Sequence, residues 1–228
     1  MSSTRIRPRT RRQLKLGFAF AAYFVLIWLL WPTPVVYPLK IFVVLLHEIS
    51  HAAAALLTGG RVLRITLDPL QGGATFARGG DAFLVLSAGY LGSLLWGLLM
   101  IRLARGAAPR VRASLVGLGV LVVGVTIGVV RGWFGMLFGL LFGLALLVAS
   151  RYLGNALQRG ALTILGMTSA LYALLDIRSD VLDRPGLPSD AFMLAELTGV
   201  PTAVWGFLWI ALGLVACFFA LRSEFRRA

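Results

Sequence analysis

Long apolar runs separated by short polar breaks dominate the chain and predict a bundle of helices. The runs are Leu16–Trp31, Val35–Leu57, Ala82–Ile101, Ala113–Val130, Trp133–Ala149, Ala161–Leu175 and Ala203–Leu221. A helix rises 1.5 Å per residue, so about 17–25 apolar residues cross a hydrocarbon core of ~30 Å. The runs beginning at Ala113, Trp133 and Ala161 are marginal by that measure, and only Arg131-Gly132 parts the first two of them. The pattern predicts an all-α polytopic membrane protein with six or seven transmembrane helices. Residues 1–15 read as a basic cytoplasmic tail, and 16–228 as a single transmembrane domain.

Two stretches depart from the helical pattern. Gly59-Gly60 stops the second run, as glycine does past a helix C-terminus. Val62, Ile65, Thr66 and Leu67 then give extended character, Pro69 and Gly72-Gly73 give turns, and Thr75-Phe76 resume it. This predicts a short β-hairpin-like segment directly after the second helix. It reads either as an interfacial connector or as an edge strand that pairs with an extended substrate. The other stretch, Asp176 to Pro201, holds Asp176, Asp180, Asp183, Asp190 and Glu196, five of the nine acidic residues. Within it Ser189-Asp190-Ala191 starts a short helix, with Ser189 or Asp190 as its cap. Leu194, Leu197 and Val200 form its apolar face, and Gly199 and Pro201 end it.

Composition sharpens the class. Of 228 residues, 59% are hydrophobic and 14% charged, and the mean hydropathy is +0.87. That is more apolar sequence than one soluble core absorbs. A net charge of +13 would suggest nucleic acid in a soluble protein. Here the basic residues cluster at the ends of apolar runs, and no basic helix or aromatic platform offers a groove or stacking surface. The expected partner is the lipid bilayer with its anionic headgroups, not nucleic acid. Arg5, Arg7, Arg9, Arg11, Arg12 and Lys15 precede the first run and place the N-terminus on the cytoplasmic side of the cell membrane. The same count puts Arg61, Arg64 and Arg78 inside but Arg102, Arg105, Arg110 and Arg112 outside, a conflict that eases if the pair flanking Arg131 is not two full spans or if one segment is re-entrant. Cys217 is the single cysteine, so no intrachain disulfide or thiolate zinc cluster forms, and it reads as a packing residue. No small-residue cleavage site follows the first run, which therefore reads as a retained span.

The candidate chemistry lies in the second run. His47-Glu48-Ile49-Ser50-His51 and Lys40 are its only strongly polar interruptions. Ionisable groups at membrane depth are costly and mark functional sites. On a helix, histidines at i and i+4 share a face and can bind one zinc ion, while the glutamate between them serves as general base. A catalytic zinc takes three protein ligands and keeps one position open. The chain has no third histidine and its cysteine is remote, so the third ligand is expected to be a carboxylate. Asp176, at the end of an apolar run, ranks first and Asp180, one turn on, second; Asp68 and Asp81 border the hairpin. Glu48 would take a proton from a zinc-activated water and pass it to the leaving amine. Two other readings use the same residues: a non-catalytic zinc-binding scaffold, and a metal or proton transporter. A transporter predicts paired broken helices or an internal repeat, and the sequence shows no convincing repeat.

These residues resemble the site-2-protease family of intramembrane zinc metalloproteases, in its compact bacterial and plant branch without a PDZ domain. The resemblance spans about residues 35–210. It is carried by His-Glu-Ile-Ser-His at 47–51, Gly72-Gly73-Ala74-Thr75, Ser87-Ala88-Gly89-Tyr90-Leu91-Gly92-Ser93, Leu171-Tyr172-Ala173-Leu174-Leu175-Asp176-Ile177 with Asp180, and Ser189-Asp190-Ala191. In that family a Leu-Asp-Gly motif supplies the third zinc ligand. The matching place here is Leu175-Asp176-Ile177, without the glycine, which leaves Asp176 and Asp180 both open. The family's Ala-Gly-Pro is Ala88-Gly89-Tyr90, and its usual asparagine is absent, with Ser93 close by. The resemblance implies cleavage of transmembrane segments of substrate proteins near the cytoplasmic side.

Overall fold

Among the described residues, five helices are long and apolar enough to cross a membrane, and a bent pair makes a sixth if counted as one span. The chain is thus a multi-pass, all-α membrane protein with one small sheet. The computed structural model describes residues 18, 21–23, 25–31, 33–178, 180–181 and 188–227. The basic tail expected over 1–15 lies outside them. Two compact units are present, Leu39–Gly213 and Met1–Pro38 with Leu214–Ala228. In the smaller unit, the first expected run is represented by a shorter apolar helix, Ala21–Leu30, followed by a 3-10 turn at Pro34–Val36.

The longer elements run in the order α1 (Tyr37–Leu57), β1 (Arg61–Leu67), β2 (Gly73–Arg78), α2 (Ala82–Leu103), α3 (Ala108–Val129), β3 (Val130–Arg131), α4 (Trp133–Tyr152), α5 (Asn155–Arg178), α6 (Asp190–Thr198) and α7 (Thr202–Arg227). Gly59, with φ +85°, ends α1 as expected. The two acids bordering the hairpin have local duties. Asp81 caps α2 by accepting from the Leu84 amide at 2.9 Å, and Asp68 accepts from the Leu70 amide at 2.6 Å in the hairpin turn.

The helices pack where small residues let backbones approach, since lipid tails give apolar faces no reason to leave them. α2 and α5 cross at Gly97 and Gly166. A Cβ on either glycine would fall 2.7 Å from the other's carbonyl oxygen. Beside that crossing, the Ser169 hydroxyl donates to Ser93 O at 2.7 Å.

The expected hairpin is present, within a three-stranded sheet of order β2-β1-β3. β1 pairs antiparallel with β2, Ile65 opposite Thr75 and Leu67 opposite Gly73. It pairs parallel with β3, Ile65 opposite Val130. The third strand was not anticipated; it is the first two residues of the three-residue break between α3 and α4, which present just enough extended backbone to join the ladder. Alternation along the strands turns Ile65, Leu67 and Val130 inward, where all three are buried. Gly73 and Thr75 share that face.

α6 begins as the sequence predicts, with Ser189 accepting from the Phe192 amide at 3.2 Å, and ends at Gly199 in the left-handed region. It forms a 120° bend with the start of α7. One core cluster ties it to its neighbours: Tyr90 of α2, Ile177 of α5, Val181 just beyond α5, Ala191 and Leu194 of α6, and Trp209 of α7.

Candidate metal centre

α1 is the central helix of the site, and its helical spacing puts His47 and His51 on one face with their rings 4.7 Å apart. About nine Å of helix separates His51 from the helix end at Leu57, so the cluster lies well inside the span. Glu48 and His51 are buried and His47 is nearly so.

The carboxylate that meets both imidazoles is Asp190, the first residue of α6. Its Oδ2 lies 2.9 Å from His47 Nε2 and 3.1 Å from His51 Nε2. These three side chains form a group whose ligand atoms all lie within 4.8 Å of one another. The expected choices stand elsewhere. Asp176 approaches His47 from the other side of the ring, its Oδ2 3.9 Å from Nδ1. Asp180 accepts from the Tyr90 hydroxyl at 2.6 Å. The arrangement has a geometric reason. The end of α5 arrives beside the Nδ1 edge of His47, whereas both Nε2 atoms face the start of α6.

The donor set fits a zinc ion on three counts. Histidine nitrogens with a carboxylate oxygen are the ligands of many catalytic zinc sites. Two ligand atoms bound tetrahedrally at about 2.0–2.1 Å stand roughly 3.3 Å apart, close to the two nitrogen–oxygen separations of 2.9 and 3.1 Å. Finally, the backbone of Gly89 in α2 leaves a cradle in front of both Nε2 atoms. A Cβ at Gly89 would collide with His47 and would fall 2.6 Å from His51 Nε2.

Surrounding groups fix the ring orientations. The Val85 carbonyl lies 2.7 Å from His51 Nδ1. A carbonyl only accepts, so Nδ1 donates, and the Nε2 lone pair of the neutral ring is left facing Asp190 and Gly89. The Tyr90 ring stands edge-on to His47, with centroids 5.3 Å apart. On the far side of the motif, the Thr75 hydroxyl of β2 donates to Glu48 Oε2 at 2.7 Å. A cavity of about 450 Å³ is lined by both histidines, Glu48, Gly73, Thr75, Asp176, Asp180 and Asp190 among others.

His47, Glu48 and His51 therefore come together as the sequence predicts. Asp190 and Thr75 are the residues that sequence reasoning passed over as site members. Each has a local role in the sequence, one as a helix-cap candidate and one as a strand residue, and each lies in a motif that carries the family resemblance without a site role attached to it.

Among comparisons with known proteins, the family model described as Peptidase M50B-like matches residues 20–220. No curated protein and no solved structure matches the chain.

Proposed function

We propose that this chain, which belongs to the Peptidase M50B-like family within the site-2-protease family, is an intramembrane zinc metalloprotease that cleaves transmembrane segments of substrate proteins. The observation that carries the reading is the convergence of His47 Nε2, His51 Nε2 and Asp190 Oδ2 inside a membrane-spanning bundle, with Glu48 beside them.

In this reading His47, His51 and Asp190 hold the ion. When bound, zinc supplies a Lewis acid that acidifies water and polarises a peptide carbonyl. Glu48 accepts the proton from the attacking water on its carboxylate and returns it to the leaving amine nitrogen. The Val85 carbonyl keeps His51 in the tautomer that leaves Nε2 free to bind. The cavity admits the scissile segment between α6 and the inner face of β2. A helical substrate has its carbonyls tied into backbone hydrogen bonds, so it must unwind locally, and helix-breaking residues near the scissile bond favour cleavage. The basic N-terminal segment supports an N-terminus on the cytoplasmic side of the cell membrane.

The test uses the full chain in liposomes with a single-span peptide containing an internal Gly-Pro pair. Glu48→Gln is expected to keep its zinc, measured by elemental analysis, and to lose cleavage. A Glu48→Gln chain that cleaves like wild type rejects the assignment. Zinc retention without cleavage by either protein points to a scaffold, and zinc flux into the liposomes to a transporter.

A further inference from the structure

We infer that Thr75 is the positioning residue for the general base, an inference that rests on the proteolytic reading above. Glu48 is buried, yet its carboxylate does not point into a featureless apolar wall. The Thr75 hydroxyl meets Oε2 at 2.7 Å and the Glu48 carbonyl oxygen at 3.0 Å. The backbone at Gly73, two residues away on the same face of β2, closes against the other side of the carboxylate. A Cβ there would fall 2.6 Å from Oε1 and 2.8 Å from Cγ of Glu48. Strand β2 is therefore a lid laid along the side chain, with one hydrogen-bonding group placed at Oε2 and no room for a side chain at Oε1.

Thr75 is itself held. It pairs across the ladder with Ile65, which is fully buried, and the β-branched side chain has few rotamers to choose from. A glutamate has three side-chain torsions, and a base must keep its carboxylate within hydrogen-bond reach of the reacting water. Contact with Thr75 and Gly73 removes that freedom before substrate arrives.

A hydroxyl suits the position better than an amide or a cation because it both donates and accepts. It donates to Oε2 while Glu48 is a carboxylate. Once Glu48 carries the proton taken from water, the hydroxyl can accept from the carboxyl O–H and turn its own hydrogen to the Glu48 carbonyl oxygen. One proton passes from water to Glu48 to the leaving amine, and the Thr75 proton never leaves its oxygen.

The test compares Thr75→Val, Thr75→Ala and Thr75→Ser with wild type in liposomes, using the same Gly-Pro peptide. Bound zinc is expected to stay at the wild-type level in all four. Loss of the hydroxyl is expected to lower kcat about 100-fold with KM changed less than about twofold, and Thr75→Ser to recover most of the rate. The inference is overturned if a zinc-loaded Thr75→Val or Thr75→Ala chain keeps wild-type kcat, if the loss falls on KM alone, or if Thr75→Ser is as slow as Thr75→Val. A zinc-loaded wild type that leaves the peptide intact overturns the proposed function and this inference with it. Cleavage by wild type but not by Glu48→Gln, with a fast Thr75→Val, removes this inference and leaves the function standing.

Discussion

The helix through Pro34–Leu57 and the helix α4, Trp133–Tyr152, are both apolar enough to cross a membrane, α4 the more so. Yet most of the first apolar stretch is buried within the protein and less than a third of the second. The less apolar helix is the more buried one. In water that order would be reversed, because burial there follows apolar area. In lipid the apolar face is already solvated, and what draws helices together is close packing and the satisfaction of polar groups. α1 carries Lys40, His47, Glu48, Ser50 and His51, and α2, α5, α6 and β2 all supply partners or packing around them. α4 carries Gly135, Gly139 and Gly143 on its packed face and leaves Leu137, Leu141, Leu144 and Val148 exposed. Polar content therefore marks the functional centre, and pure apolarity marks the lipid-facing wall.

The largest expected effect follows from the face of α1 that carries both histidines. Asp190→Ala is expected to lose bound zinc and all cleavage. Asp176→Ala, on the Nδ1 side of His47, is expected to keep its zinc with affinity weakened by about tenfold, the size of an outer-shell change. Competition with a graded series of chelators measures both. Loss of zinc from the Asp176 variant with retention in the Asp190 variant would favour the assignment that the Leu-Asp motif suggests and would place the centre toward α5.

Gly89→Ala comes next. The new methyl group would occupy the cradle in front of His47 Nε2 and His51 Nε2. Zinc affinity is expected to fall at least about 100-fold, with helical content by circular dichroism unchanged. Wild-type affinity in this variant would show that the ion does not sit between Gly89 and the two rings.

The contrast also explains which parts of the molecule were legible beforehand. His47, Glu48 and His51 were readable because their relation is local, set by the helical repeat and made conspicuous by an apolar background. The hairpin was readable from Gly59-Gly60 and the turn residues after Leu67. The strand β3 was not, because two residues carry no periodicity, and its pairing with β1 depends on how α3 and α4 come together. Asp190 stands 143 residues from His47. Its sequence neighbourhood correctly announced a helix start, with Ser189 as the cap. That local explanation hid the second fact that an aspartate opening a short apolar helix must direct its own carboxylate somewhere. Asp176 drew attention because it closes an apolar run, but a span boundary says nothing about which edge of an imidazole the side chain meets. Thr75 was visible as a strand residue, and only the alternation of β2 over α1 turns it toward the base.

The smallest effects test the wall itself. Leu45 in α1 is fully buried and Leu141 in α4 is 60% exposed. Truncating Leu45 removes packing partners on every side and leaves a cavity that neighbouring helices cannot wholly close. The expected cost is about 2 kcal/mol, toward the low end for buried leucine because lipid offers no gain from hiding the side chain. Truncating Leu141 exchanges contacts with lipid for other contacts with lipid, so the expected change is under about 0.5 kcal/mol. Unfolding of both variants in mixed micelles, followed by tryptophan fluorescence, measures the difference. Equal losses would mean that α4 has a protein neighbour on its Leu141 face in the membrane, and the division between a polar centre and an inert lipid wall would have to be redrawn there. A loss confined to Leu45→Ala would tie stability, like chemistry, to the least apolar of the two helices.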